Sequence, residues 1–275
     1  METSVVNNTV QNLPQTYIPQ QDIYQKSDVQ PPGKYWDDRV YDAVRCGSWS
    51  KTDVHHRVNL QGWLPYLKQL PRDPYVDSRW KRMSWFYLNQ SGEPVVVPDC
   101  PMAQAGAFND ADTMADKVRH YAPLEDDFIR RKDVSEFIKG WAGLWGIQSG
   151  EPILMQINGV RGNALTDPLQ GQGIHKDGSQ FLSVLVINRE NVSGGTSLLS
   201  FDKQGQQEII SGDLAPGEIL HIRDDQIYHS VSGVKPLDAS QPFERFIIII
   251  NCRFNDQFQN RILREHFPGA VLNEW

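Results

Sequence analysis

The stretch GIHKDG (173–178) places an imidazole and a carboxylate two residues apart. Alternate side chains of an extended strand share a face, so His175 and Asp177 point one way and Lys176 the other. The pair supplies two ligands of a metal site, and a third must come from elsewhere. His229, in DDQIYHSVSGV (224–234), stands at the start of a later predicted strand and is the candidate. Two imidazoles and one carboxylate on one side of a metal leave three positions open, the arrangement used by non-haem iron(II) oxygenases. Zinc also accepts this donor set, so the three residues alone do not choose the metal.

A lone His-x-Asp is weak evidence, because such pairs occur by chance on protein surfaces. An arginine on the last long strand strengthens it. Arg245 opens RFIIIINCRF (245–254), and a guanidinium can clamp the distal carboxylate of 2-oxoglutarate in a bidentate pair. Arg253 competes on the same strand. On a regular strand its eight-residue offset keeps it on the face of Arg245 but about 26 Å farther along, so only one of the two can reach a given ligand. Arg245 is preferred, and Arg253 reads as a surface ion-pair partner. His221 reads as a strand histidine with a structural partner. The adjacent His55 and His56 suit the surface, and His120 and His266 have no metal-spaced partner.

The elements that must position these residues are mostly strands. From residue 152 onward, short apolar runs are punctuated by Gly and Asp: PILMQINGVR (152–161), QFLSVLVINRE (180–190), TSLLSFD (196–202), QEIIS (207–211), EILHIRD (218–224), YHSVSGV (228–234) and RFIIIINCRF. This texture predicts an antiparallel sandwich or barrel. INREN (187–191) reads as a turn after a core strand, with Asn188 and Arg189 fixing the loop. Upstream, 82–98 predicts two short strands around Ser91-Gly92, and 56–70 a partial helix broken by Pro65. Helices are also expected over 110–122 and over DVSEFIKGWAGLWGI (133–147), where Asp133 and Glu136 resemble a capping box. Val134, Phe137, Ile138, Trp141, Leu144 and Trp145 give that helix one apolar stripe, read as core. A short helix is expected over DQFQNRILREHF (256–267). Residues 1–34, rich in Gln, Asn, Thr and Pro, predict a flexible N-terminal arm, leaving 35–275 as a single domain.

Composition excludes several classes. The 275 residues can bury a sizeable core, and 39% hydrophobic with 10% aromatic residues fits a globular chain. A net charge of −7 without a Lys/Arg-rich run argues against nucleic acid as partner. The longest apolar run, FIIII (246–250), is too short to span a bilayer. The first residues show no basic and apolar signal regions. Cys46, Cys100 and Cys252 are odd in number and widely spaced, which reads as reduced thiols in the cytoplasm. The sequence carries no signal for oligomeric state.

The segment GIHKDGSQFLSVLVINRENVSGG (173–195) resembles the bacterial 2-oxoglutarate/Fe(II)-dependent dioxygenase family that includes L-isoleucine dioxygenase and other free L-amino-acid hydroxylases. RDDQIYHSVSGVKPLD (223–238) is similar to that family's distal-histidine segment. LPRDPYVDSRWKRMSWFYL (70–88) and RHYAPLEDDF (119–128) are similar to its N-terminal half, so the likeness covers roughly 65–254. It implies a mainly β fold with flanking helices, a double-stranded β-helix or cupin-like jelly roll with its core over about 150–254. It carries the metal roles onto His175, Asp177 and His229, and the 2-oxoglutarate role onto Arg245. Fe(II), 2-oxoglutarate and O2 are then the expected cofactors, with ascorbate as reductant and a small L-amino acid as substrate. The sequence departs from the common pattern at Ile247, where many relatives place Ser or Thr. The loop RGNALTDPLQGQ (161–172) is individual and is expected to cover the site mouth.

An amino-acid substrate needs a cation for its carboxylate. Arg161, at a strand end ahead of the His-x-Asp, is a candidate, and Gln156 on the same strand is a candidate hydrogen-bonding partner; a solvated strand-end arginine is the competing reading. Two rival functions stay open. One is the same chemistry on a peptide-bound or non-amino-acid substrate. The other is a non-enzymatic cupin-like metal-binding stress protein, against which Arg245 argues, since a metal store needs no dicarboxylate clamp.

Overall fold

Each long apolar run becomes a strand in the computed structural model, which describes residues 34–108 and 114–272. The strands are β1 (Trp49–Asp53), β2 (Arg79–Leu88), β3 (Pro94–Val97), β4 (Ile153–Gly162), β5 (Ser179–Glu190), β6 (Val192–Gly194), β7 (Thr196–Ser200), β8 (Glu208–Asp213), β9 (Glu218–Arg223), β10 (Tyr228–Val231), β11 (Val234–Pro236) and β12 (Phe243–Phe254). The helices are α1 (Asp38–Cys46), α2 (Leu60–Lys68), α3 (Asp126–Ile129), α4 (Lys132–Trp145) and α5 (Gln257–His266). Seven strands form an antiparallel sheet in the order β1-β9-β5-β12-β4-β2-β3, a second sheet runs β10-β7-β8, and β11 pairs with β6. This is the jelly roll expected from the sequence. No described helix is long and apolar enough to cross a membrane.

Strand β12 lies between β4 and β5, so both its edges are paired. Its two faces pack against helices on one side and the small sheet on the other, which explains why FIIII is apolar at every position. Phe246, Ile248 and Ile250 pack toward the helices. Ile247 and Ile249 face the other way, into the cluster that includes Leu199 of the small sheet. The large sheet therefore has a helix-covered face and an inner face, and the alternation along each strand decides which residues reach the interior of the roll. Burial of Trp63, Phe137, Ile138 and Trp141 locks α2 and α4 onto the outer face. Helix α4 stops at Gly146, whose φ of 63° is the left-handed conformation that glycine adopts without a Cβ clash.

Several local expectations are corrected. The N-cap of α4 is Arg131, with no side-chain cap bond. Asp133 instead accepts from Arg131, from the backbone N–H of Asn59 and from the Trp63 indole, tying α4 to the start of α2. The helix expected over 110–122 does not form in its described part: residues 114–116 make a turn, and Arg119 pairs backbone with Met102. Residues 187–190 continue β5, so the turn comes later, at Asn191 with φ 52°. The N-terminal arm lies outside the described residues, Lys34 apart.

His221 has the structural partner expected of it. The Trp141 indole donates to Ser183 Oγ at 2.8 Å, and Ser183 Oγ lies 2.7 Å from His221 Nδ1. That chain suits a neutral ring, and complete burial pushes His221 down to about 3 from 6.5. The unfolded chain takes up this proton below 6.5 and the folded one does not. The stability contributed by the neutral ring is therefore complete above pH 6.5 and is lost as pH falls toward 3. Denaturant titrations between pH 7.5 and 5 should show a decline steepening toward about 1.4 kcal/mol per pH unit from this residue. A His221→Phe variant should lose that component of the slope. An unchanged slope would refute it.

Candidate metal centre and its cavity

His175 is not inside a strand, as the alternation argument assumed, but forms an isolated bridge just ahead of β5. Its backbone N–H donates to His229 O at 3.0 Å, and the His229 N–H donates back at 2.9 Å. This ladder step joins the segment just ahead of the large sheet's β5 to β10 of the small sheet and brings the two rings to 4.4 Å, tilted 56° to each other. His175 Nδ1 bonds Gly173 O at 2.9 Å, leaving Nε2 as the metal-facing nitrogen, 3.4 Å from Asp177 Oδ1. One ligand atom from each of His175, Asp177 and His229 lies within 4.8 Å of the other two, close enough to share one ion. Gly178, at φ 79°, turns the chain directly after Asp177, and a Cβ there would sit 2.7 Å from the Phe108 ring.

Asp224, fully buried, was not singled out in the sequence. Its Oδ2 accepts from the N–H groups of Asp177 and Ser179, and its Oδ1 lies 3.2 Å from His229 Nε2. It thus holds the Asp177 backbone and the His229 ring together from behind. Burial opposes ionisation of Asp177, but the His175 hydrogen bond and the charge of His229 hold its carboxyl down at about 2. Burial alone would lower His175; the Asp177 carboxylate and the Gly173 carbonyl outweigh it, and the ring is raised. An ionised carboxylate between two imidazoles is a donor set that fits a divalent metal.

Arg245 lies on the inner face of β12 and is 3% exposed. No ion pair or side-chain hydrogen bond reaches it among the described residues, and its Nε is buried without a partner. Burial, then the nearby Arg189 charge, lowers it to about 10, while Asp213 partly compensates. A buried guanidinium in this state fits an incoming carboxylate. Ile247 sits two residues on, with Ser197 and Ser230 of the small sheet lining the same cavity.

That cavity also holds His175, Asp177, His229, Gln156 and Asn158, and Pro168, Leu169, Gln170 and Gln172 of the 161–172 loop line it. Arg161 is not brought to it. Its guanidinium donates to Lys68 O at 2.8 Å, pairs with Glu244 at 3.2 Å and lies over the Trp80 and Phe246 rings. Gln156 does line the cavity, but its Oε1 accepts from Lys81 at 2.6 Å. Arg253 departs from regular strand geometry, with φ 54°, and pairs with Glu151 at 2.7 Å. The pair matches the expected role, although Glu151 is buried rather than at the surface. His55, His56, His120 and His266 are exposed. Three cations that the sequence reading passed over, Arg79, Lys81 and Arg119, also line the cavity.

A family model described as 2OG-Fe dioxygenase matches residues 64–251. No curated protein sequence matches the chain significantly. Among solved structures, a bsmA homolog from Methylobium petroleophilum PM1 is similar with a TM-score of 0.67 and 21% identity, over 78% of this chain and 91% of that one. IDO from Bacillus thuringiensis gives a TM-score of 0.63 at 12% identity, over 82% and 99%. The Fe(II)/α-ketoglutarate-dependent dioxygenase TqaL gives 0.59 at 14% identity, over 81% and 88%. Identities this low show a shared fold.

Proposed function

The chain belongs to the 2OG-Fe dioxygenase family, and from that membership we propose that it hydroxylates an unactivated C–H bond of a small substrate, a free L-amino acid. His175, Asp177 and His229 hold the iron(II), and Arg245 binds the distal carboxylate of 2-oxoglutarate. The observation that carries this reading is the pairing, in one cavity, of three convergent ligand atoms with a buried guanidinium lacking an anion.

When bound, iron and 2-oxoglutarate supply the oxidation: O2 is consumed, the co-substrate becomes succinate and CO2, and one oxygen atom enters the product. The chain's own residues orient and shield. Asp177 keeps its negative charge at neutral pH, and Asp224 fixes the Asp177 backbone beside His229. Leu182, Val184, Ile247 and Ile249 give the cavity a dry apolar wall, which limits solvent access to the centre. A cavity of about 160 Å³ has room for a small free molecule. The free thiols fit a cytoplasmic setting.

The test is succinate formation from 2-oxoglutarate with Fe(II) and ascorbate as reductant, across the twenty L-amino acids, beside a His175→Ala control. Stimulation by an amino acid that vanishes in the control supports the full reading. A basal, His175-dependent rate that no amino acid stimulates would discard the free-amino-acid substrate in favour of a peptide-bound or other metabolite.

A further inference from the structure

The inner face of the large sheet carries a second group of cations two strands away from Arg245. Arg79 of β2 is in register with Val160 of β4, which is in register with Arg245 of β12. Lys81 follows Arg79 by two residues and so shares its face. Two strand spacings separate the β2 and β12 positions, roughly 10 Å. Arg119, held by its backbone bridge to Met102, brings a third cation to the same place. Two of the three meet at Tyr121: Lys81 Nζ sits 4.1 Å from the ring centre, and Arg119 Nη1 lies 3.4 Å from the hydroxyl.

Their charges are poorly balanced. Arg79 pairs with Asp73 at 2.6 Å. Lys81, 3% exposed, donates to the neutral Gln156. Arg119, 2% exposed, donates to the neutral Gln104, and its Nε has no partner. Among the described residues no carboxylate pairs with either of these two. Asp73 and Asp177 act on Lys81 only from beyond ion-pair distance. A buried cation without a contacting carboxylate is costly, and an anion from outside would offset that cost. Beside them on β4, the buried Asn158 Oδ1 also has no partner and lines the cavity, offering an acceptor.

We propose that Arg119, Lys81 and Arg79 form an anion subsite separate from Arg245, and that the substrate is an acidic amino acid, one with a second anionic group besides its α-carboxylate. The subsite supplies two cations beyond the Arg79–Asp73 pair, which match two carboxylates, while Asn158 accepts from the ammonium group. Burial, then the charges of Arg79 and Arg119, push the Lys81 amine well below its usual value, so bound anions would also restore its charge. This assignment rests on the dioxygenase reading for its place in the reaction, but the subsite can be tested by binding alone.

The experiment is anaerobic calorimetry on the protein loaded with iron(II) and 2-oxoglutarate, titrated with L-aspartate, L-glutamate, L-asparagine, L-glutamine and L-isoleucine. At least one acid should bind about ten-fold or more tighter than its amide and than isoleucine, because the amide leaves a buried cation unmatched. Arg119→Met should erase that preference while leaving 2-oxoglutarate affinity unchanged, Arg119→Lys should restore part of it, and Lys81→Met should weaken the acid independently. The wild-type acid-to-amide ratio needs no variant to fold. Equal binding of acid and amide overturns the proposal, as does loss of 2-oxoglutarate rather than amino-acid affinity in Arg119→Met. Acid-selective binding without succinate formation would keep the subsite and overturn the hydroxylation reading; succinate formation stimulated equally by neutral amino acids would do the reverse.

Discussion

An Asp177→Ala protein should lose succinate formation by at least about 100-fold at saturating 2-oxoglutarate, more than the 10- to 100-fold that follows loss of an outer hydrogen-bond partner of a metal ligand. Asp177 is the one charged donor of the three, and it stays ionised because the histidines beside it hold its carboxyl at about 2. Its removal leaves two neutral imidazoles and no charge to hold a hard divalent ion. The fold should survive, since Asp224 grips the backbone N–H of residue 177 rather than its side chain. Iron content after desalting should fall together with activity, with the thermal midpoint of the metal-free protein little changed. Asp224→Asn gives the internal comparison: it keeps all three metal donors but weakens the hold behind His229, so its loss should lie inside the 10- to 100-fold range. Wild-type iron retention in Asp177→Ala would move the metal away from this centre.

The grouping of His175, Asp177 and His229 was legible because its signal is local. The His-x-Asp spacing puts both donors on one side whether the segment is a strand or, as found, a bridge beside one. His229 followed because it precedes a recognisable strand. What failed were inferences that depend on which strand lies next. Arg161 is directly opposite Glu244 across the β4–β12 ladder, and that cross-strand partner claims it; nothing in the order of residues reveals the pairing. Asp133 has the spacing of a cap, yet the Trp63 indole from α2 competes for its carboxylate. The cation group was hidden for two reasons. Arg79 and Lys81 show the alternation of a strand face, but only the sheet order says that this face is the inner one. Arg119 falls in a segment whose composition suggested a helix, where its side chain would have had no reason to meet β2.

Arg245→Met should raise the KM for 2-oxoglutarate by about 100-fold or more, in line with the 2–5 kcal/mol typical when one partner of a buried charge pair is truncated. Iron binding should be unaffected, because Arg245 touches none of the three metal ligands. The same substitution should make the ligand-free protein more heat-stable: the wild-type guanidinium is 3% exposed, lacks a paired carboxylate among the described residues and sits near Arg189, whereas methionine fills similar space without a charge to bury. The two effects have opposite signs, which separates a binding role from a structural one. Wild-type protein should gain thermal stability on addition of 2-oxoglutarate by mass action, and the variant should not. Arg245→Lys keeps the charge but not the planar fork, so it should recover only part of the affinity. If Arg245→Met instead left the KM for 2-oxoglutarate unchanged while Arg119→Met raised it, the two cation positions on the inner face would have exchanged roles, with the co-substrate against β2 and the substrate against β12.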